Sequence, residues 1–125
     1  DFAKALGQAK GPGALNNICW ELATADVSLT SALDDCNAAL AREPDLVAAL
    51  DSRGFALMRL GRYGQAIASY TSALKLDPLE ADSLYGRGIC ELRAGRKSRG
   101  RADIKAATVL SYAVADEFAH YGVRP

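Results

Sequence analysis

Residues able to do chemistry are few in this chain, and their spacing argues against catalysis. His120 is the single histidine, so a catalytic triad built on histidine and a metal site with several histidines are both excluded. Two pairs of carboxylates, Asp34–Asp35 and Asp116–Glu117, are adjacent in sequence and would point in different directions from a helix. The sequence therefore predicts a protein that is not an enzyme, with no catalytic residue, no metal site and no cofactor.

One run of basic residues, RAGRKSRGR, spans positions 93–101. A turn of this kind can contact phosphate, RNA or an acidic protein surface. It has no interleaved aromatic side chain for base stacking, and a solvated turn is the commoner role for such a run. We therefore do not expect nucleic acid as the partner, and we keep anion or nucleic-acid contact as an alternative that would use Arg93, Arg96, Lys97, Arg99 and Arg101.

The composition favours closely packed helices. Half of the 125 residues are hydrophobic but only 7% are aromatic, so the core of this single domain must consist mainly of Ala and Leu. The 15 basic and 15 acidic residues cancel over the chain, which gives no global field to attract nucleic acid or a membrane surface. No apolar run approaches the roughly 18 residues of a membrane span. Because the chain begins at Asp1, the lack of a signal peptide indicates nothing about the compartment.

A repeat with a period of 34 residues organises the chain from residue 13 onward. Two series of small residues recur at this interval, and two further series agree with them: Ala39, Ala73 and Ala107; Ala32, Ala66 and Gly100; Asn16, Leu50 and Leu84; Trp20, Gly54 and Gly88. Such a period with two apolar helical stripes is typical of a helical solenoid.

Glycine and proline mark the ends of the predicted helices. Gly61 and Gly95 fall between two stripes, where a glycine can adopt the left-handed conformation that ends a helix. Pro44 and Pro78 end the second helix of their repeats, and GPG at 11–13 reads as a helix breaker. No segment alternates as a strand would. The predicted helices are 13–25, 30–42, 47–60, 63–76, 81–94, 97–110 and 114–121.

Small residues on the inner face of the segment 60–78, LGRYGQAIASYTSALKLDP, predict close helix packing. Ala66, Tyr70 and Ala73 share one face at helical spacing, and Gly54 is expected to lie across from the Ala66–Tyr70 turn. Two small residues facing each other allow the helix axes to approach to the short end of the usual ~8–10 Å range. The alternative is a generic helical bundle, which the fixed interval of 34 residues disfavours.

The middle copy of the repeat, residues 47–80, resembles the tetratricopeptide repeat (TPR), and the resemblance includes a probable bacterial origin. The matching residues are Leu50, Gly54, Leu57, Leu60, Gly61, Tyr63, Ala66, Tyr70, Ala73 and Pro78. We divide the chain into a tail at 1–12, a degenerate repeat at 13–46, the near-consensus repeat at 47–80, a third repeat at 81–112 that lacks the proline, and a capping helix with its tail at 113–125. The cap would turn Val114, Phe118 and Tyr121 inward.

The resemblance implies an all-α, right-handed superhelical solenoid whose first helices line a concave groove for a peptide or partner helix. Phe55, Met58, Ile89 and Leu92 would be exposed in that groove, although packing as ordinary core is the alternative. Arg59 and Arg93 could reach an acidic group of the ligand or lie at solvated helix ends. The groove positions carried over are Asn17, Glu21, Thr24, Asp51, Phe55, Met58, Arg59, Tyr85, Ile89, Leu92 and Arg93.

The family fold would also bring Cys19 and Cys36 together across the first hairpin. A disulfide bond there would indicate an oxidising compartment such as a periplasm, and the stretches NNICWELA and DCNAAL are similar to those of exported bacterial members. Two buried free thiols are the alternative, and Cys90 is expected to be one in either case. Trp20 is expected to cover the open end of the superhelix.

The function that the resemblance implies is a non-catalytic protein–protein interaction module. Two alternatives stay open: a self-assembly or docking module of a larger protein, which allows a homo-oligomer, and the anion or nucleic-acid contact through residues 93–101. The expected partner is another protein or peptide, and no transmembrane segment is predicted.

Overall fold

Seven α-helices follow one another in residues 11–125, which are the residues that this computed structural model describes. We number them α1 to α7 in chain order. Their bounds are α1 Pro12–Thr24, α2 Leu29–Arg42, α3 Val47–Arg59, α4 Tyr63–Leu76, α5 Ala81–Arg93, α6 Lys97–Leu110 and α7 Val114–His120. Each bound lies within one residue of the prediction, and residues 11–125 contain no strand.

Glycine ends the first helix of the second and third hairpins, as predicted. Gly61 has φ +76° after α3 and Gly95 has φ +84° after α5, values at which a residue with a Cβ would be strained. The expectation that GPG breaks the chain is wrong, because Pro12 and Gly13 lie inside α1. Proline is well tolerated in the first helical turn, where its missing N–H would have no helical partner.

The helices form three hairpins, α1–α2, α3–α4 and α5–α6, stacked so that the first helices lie side by side. Helix α3 contacts α1 on one side and α5 on the other. Helix α7 contacts α5 and α6. This architecture is all-helical and corresponds to the predicted TPR-like solenoid, with the first helices forming a continuous inner layer.

The small residues of the 34-residue period provide the contacts between helices. All six members of the two series are buried. Tyr70 lies between two glycines: a Cβ on Gly54 would stand 2.8 Å from its Cζ, and one on Gly86 would stand 2.5 Å from its Oη. In the third hairpin a Cβ on Gly88 would stand 2.9 Å from the carbonyl oxygen of Gly100. The predicted contact of Gly54 with the Ala66–Tyr70 turn is therefore present.

A polar contact recurs with the same period outside the apolar core. Arg53 donates from Nε to Oγ of Ser69 over 3.0 Å, and Arg87, one period later, donates from Nε to Oδ2 of Asp103 over 2.7 Å. Each arginine also points a second nitrogen at the preceding hairpin, at Oδ1 of Asn37 (3.4 Å) and Oγ1 of Thr71 (3.4 Å) respectively. These side chains connect each first helix to two second helices.

The first hairpin contains one residue more than the others in its turn. Residues 25–28 join α1 to α2, whereas 60–62 and 94–96 join the later pairs. Asp26 and Ser28 have φ values of 57° and 48° in that longer turn. Contacts across the hairpin therefore join residues 17 apart in the first copy, Cys19 and Cys36, but 16 apart in the second, Gly54 and Tyr70.

This offset corrects the alignment of α1 with the later repeats. Cys19, rather than Trp20, is the structural equivalent of Gly54, and Trp20 corresponds to Phe55. The ring of Trp20 accordingly lies 5.2 Å from that of Phe55, centroid to centroid, on the inner layer. The expectation that Trp20 covers the open end of the solenoid is wrong because a fixed interval of 34 cannot register an inserted residue.

Candidate functional site

The inner layer of the solenoid carries the apolar residues that the sequence places in a groove. Phe55 of α3 and Ile89 of α5 occupy equivalent positions, and Trp20 of α1 completes the row. Phe55 and Ile89 are each only 1% exposed. Residues 114–125, which comprise α7 and the five residues that follow it, fold back over these side chains. We call residues 114–125 the C-terminal arm.

Aromatic rings make the contact between the arm and the inner layer. The ring of Phe118 lies 5.7 Å from that of Phe55 and 4.8 Å from that of Tyr85, measured between centroids. Tyr121, three residues later, lies 5.8 Å from Trp20 and 5.9 Å from Phe55. The two arm residues thus touch all three first helices, and tilted or edge-on pairs of this kind are favourable beyond the area they bury.

Two arginines one period apart hold the main chain of the arm. Arg59 donates a hydrogen bond from Nη2 to the carbonyl oxygen of Tyr121, and Arg93 donates from Nη2 to that of Arg124 over 3.0 Å. The guanidinium of Arg59 also lies 5.2 Å above the ring of Phe55, within the range of a cation–π contact. Both arginines recognise backbone carbonyls here, rather than the acidic group considered from the sequence.

The arm keeps its shape through local backbone bonds. Gly122, with φ +82°, ends α7, and the N–H of Val123 donates to the carbonyl of Phe118 over 2.9 Å. Val123 is then turned inward and is buried. A helix of seven residues would not be stable alone in water, so its conformation depends on the inner layer that it covers.

An acidic cavity borders the arm at the beginning of α3 and α5. It measures about 320 Å³, and its polar lining comprises Asn16, Asn17, Asp51, Ser52, Glu80 and Asp82. Burial and the neighbouring Asp82 raise the pKa of Asp51 to about 8, although a hydrogen bond from Ser83 opposes the shift. Burial and the carboxyl of Glu117 on the arm raise the pKa of Asp82 to about 6. Two carboxyl groups therefore face each other where the arm meets α5.

A second cavity, of about 200 Å³, borders the arm at the other end of the same helices. Its lining comprises Asp26, Met58, Arg59, Tyr63, Ile89, Arg93, Gly122 and Val123. Asp26 lies 3.7 Å from Nη1 of Arg59 and balances part of the positive charge. The inner layer is therefore acidic where the first helices begin and basic where they end.

The predicted exposure of the groove residues is wrong for four of them. Phe55, Met58, Tyr85 and Ile89 are buried, because the arm and the neighbouring first helices cover them. Leu92 is half-buried and Arg93 is exposed. The predicted inward stripe of the last helix is present at Val114 and Phe118, which are buried, but it covers the inner layer as well as the end of the array.

The residue offset in the first hairpin also moves the predicted site on α1. Asn16 and Trp20 correspond to Asp51 and Phe55, so Asn17 and Glu21, both exposed, stand one position beyond the inner stripe. Asn17 still lines the acidic cavity. Oγ1 of Thr24 donates to the carbonyl of Trp20 in its own helix over 2.8 Å. The sequence signal that could have located Trp20 is the longer spacing between Cys19 and Cys36.

The basic run lies apart from the arm, except for Arg93. Arg96 and Arg99 line a cavity of about 310 Å³ together with Arg87, Glu91 and Asp103. Arg87 is paired there with Asp103 at 2.7 Å and with Glu91 at 3.5 Å. The two carboxylates reduce the positive charge that an anion would meet at this surface.

The cysteines divide as the family resemblance implies. Cys19 and Cys36 are joined by a disulfide bond, with their Cα atoms 5.5 Å apart. Cys90 is a buried free cysteine, and burial raises the pKa of its thiol to about 12. Since the thiolate is the reactive form, Cys90 is not a nucleophile near neutral pH.

Two further searches cover only residues 11–125. They contain no group of three or more His, Cys, Asp or Glu side chains arranged to hold a metal ion. None of the helices described is both long enough and apolar enough to cross a bilayer.

Comparison with known proteins gives one match. Residues 53–115, half of the chain, match a family model described as tetratricopeptide repeat. The matched segment begins in α3 and ends at the first residues of α7, so it contains two of the three hairpins. No curated protein matches the chain.

Proposed function

We propose, since this chain belongs to the tetratricopeptide-repeat family, that its inner layer binds a peptide or a partner helix of another protein. Repeats of this family generally mediate protein–protein interactions and are typically not catalytic. A family alone does not define a binding site, so the proposal depends on the side chains of α1, α3 and α5.

The observation that supports the proposal is the way the inner layer holds the arm. Trp20, Phe55 and Tyr85 accept two aromatic side chains, while Arg59 and Arg93 bind main-chain carbonyls. Apolar anchors combined with backbone recognition are the means by which grooves bind polypeptide segments. The same side chains are suited to a segment of another protein.

The test requires exposed positions, because charges at the buried Phe55 or Met58 would disturb the fold. Asn17 lines the acidic cavity and Arg93 the basic one, and both are exposed. We expect Asn17→Arg with Arg93→Glu to weaken binding of the purified partner by at least about tenfold, the effect of losing roughly 1.4 kcal/mol. The partner would first be isolated with the unchanged chain and then titrated in a calorimeter.

A matched control changes charge at exposed positions of α4. Gln65→Arg with Lys75→Glu alters exposed residues of the outer helix in the same chemical sense, and it should leave the affinity unchanged. The proposal fails if the α4 pair abolishes binding while the inner-layer pair does not.

A further inference from the structure

The groove of this protein already holds a polypeptide, namely its own arm. Three arm residues, Val114, Phe118 and Val123, are buried, and two arginines of the inner layer bind arm carbonyls. The contacts resemble those of a bound ligand, since each consists of an anchor side chain in an apolar site or of main-chain recognition.

The connection to the rest of the chain permits the arm to move as a unit. Residues 111–113 join α6 to α7, and Tyr112 is 95% exposed. Helix α7 has only seven residues, so it retains little stability once it leaves the inner layer. Release of the arm would uncover Phe55, Tyr85 and Trp20 without requiring any of the three hairpins to separate.

One contact of the arm with the groove is unfavourable. Glu117 faces Asp82, and the pair lies beside Asp51 and Glu80. Like charges held together in a partly buried site repel unless one of them binds a proton. No arm cation offsets the pair, because the arginine of the arm, Arg124, lies near Arg93 at the opposite end of the groove. The arm is therefore a suboptimal ligand at this one position.

We propose that the arm is an intramolecular ligand, and that the partner is a helical turn with aromatic residues three positions apart and no carboxylate before the first. The aromatic pair would take the places of Phe118 and Tyr121. A neutral or basic side chain would take the place of Glu117 and face Asp82. This inference rests on the proposed function and specifies the partner's chemistry.

The arrangement makes binding competitive. A partner without the acidic residue gains a favourable contact with Asp82 where the arm has a repulsive one, and can displace the arm even though the arm is tethered. Because occupancy by the arm reduces the fraction of competent molecules, the apparent affinity for any partner falls by that fraction.

The test uses the full chain and a labelled peptide with the sequence of residues 112–125, YAVADEFAHYGVRP. The chain variant Phe118→Ala, Tyr121→Ala removes both anchors of the arm. We expect the peptide to bind this variant at least about tenfold more tightly than it binds the unchanged chain, where the arm competes. The same peptide with both aromatic residues replaced by alanine should not bind.

Trp20 supplies an independent readout because it is the single tryptophan of the chain and contacts Tyr121. Its fluorescence should shift to longer wavelength in the Phe118→Ala, Tyr121→Ala variant, and the peptide should reverse that shift. A signal from Trp20 places the peptide in the groove, which an affinity alone does not.

Peptide variants test the partner's chemistry. Glu117→Gln in the peptide should increase its affinity several-fold at pH 7.5. Asp116→Asn removes the same charge from the neighbouring, exposed position and should change the affinity much less. Equal effects of the two substitutions would overturn the specific contact with Asp82.

A variant with a smaller change guards against loss of folding. Circular dichroism would show whether Phe118→Ala, Tyr121→Ala keeps its helices. If it does not, Arg93→Ala, which removes only the hydrogen bond to the carbonyl of Arg124, replaces it, and peptide affinity should still exceed that of the unchanged chain.

Two results would overturn the inference. One is failure of the peptide to bind a folded, arm-weakened chain, and the other is a dimer of the unchanged chain, seen by light scattering, that dissociates when the arm anchors are removed. The second result would mean that the arm belongs to another copy. If the peptide fails while a natural partner still requires Asn17 and Arg93, the proposed function stands and only the arm-like partner is wrong.

Discussion

The ring of Tyr70 lies against Gly86 of the next hairpin so closely that a Cβ at Gly86 would stand 2.5 Å from the tyrosine Oη. Tyr70 belongs to α4 and Gly86 to α5, so this contact joins two successive repeats. The tyrosine is completely buried and has little room to move aside. Glycine at position 86 is therefore required by packing, not by backbone conformation.

We expect Gly86→Ala to destabilise the chain by about 1–3 kcal/mol, the usual cost of overpacking a core. Gly64→Ala is the matched control, because a Cβ there meets no atom within 4 Å. The control should be neutral or stabilise the helix by up to about 1 kcal/mol. Urea unfolding followed by circular dichroism measures both, and similar midpoints for the two variants would contradict the packing argument.

The fold could be predicted from the sequence because its determinants are local or periodic. Helix ends follow from Gly61, Gly95 and the apolar stripes, and the interval of 34 residues places Ala32, Ala66 and Gly100 in equivalent contacts. Each of these signals depends on a few neighbouring residues. They required no knowledge of how distant segments meet.

The site was predicted less well because it depends on the path of the chain after the last repeat. The apolar stripe of α7 indicated that Phe118 faces inward, but a stripe does not specify which surface it covers. One additional residue in the turn 25–28 moved Trp20 onto the inner layer. An insertion of one residue leaves helical periodicity intact on both sides, so its effect appears only in three dimensions.

The disulfide bond should contribute substantially to the stability of the first hairpin. It joins residues 17 apart, and closing a loop of that size restricts the unfolded chain by about 3 kcal/mol. We expect a reducing agent to lower the free energy of unfolding of the unchanged chain by about that amount. The variant Cys19→Ser, Cys36→Ser should be insensitive to the same treatment.

A thiol count checks the pairing directly. Under denaturing, non-reducing conditions the chain should show one reactive thiol, that of Cys90, out of three cysteines. Three thiols would mean that the purified protein lacks the bond, and the stability measurement would then apply only after oxidation.

The ion pair of Arg87 and Asp103 should stabilise the contact between α5 and α6. Nε and Nη2 of Arg87 donate to the two carboxylate oxygens at 2.7 and 3.0 Å. Although burial raises the pKa of Asp103, the hydrogen bond from Arg87 outweighs it and the pKa is lowered. We expect Asp103→Asn to destabilise the chain by about 1–3 kcal/mol, as losses of hydrogen bonds between charged groups do.

The exposed Asp45 provides a control for that substitution. Asp45→Asn removes the same charge and should change the free energy of unfolding by less than about 0.5 kcal/mol. The sign of the pH effect follows from the lowered pKa of Asp103: its contribution is present above the pKa of the unfolded chain and is lost as the pH falls. A loss that appears only above neutral pH would contradict this assignment.

The acidic cavity should make the protein less stable as the pH rises. The pKa of Asp51 is raised to about 8 by burial and by Asp82, and the pKa of Asp82 is raised to about 6 by burial and by Glu117. In the unfolded chain both carboxyls titrate near 4. Between about pH 4 and pH 8 the folded protein therefore binds more protons than the unfolded chain, so the free energy of unfolding decreases with increasing pH.

We expect a decline of about 1–3 kcal/mol between pH 5 and pH 8, since each unit of pKa shift corresponds to about 1.4 kcal/mol. Asp51→Asn keeps the size of the side chain and cannot ionise, so it should remove most of this decline and be more stable than the unchanged chain at pH 8. Urea titrations at several pH values measure the slope, and Asp45→Asn again serves as the control. If Asp51→Asn shows the same decline as the unchanged chain, Asp51 is ionised throughout this range and the cavity is better hydrated than its burial indicates.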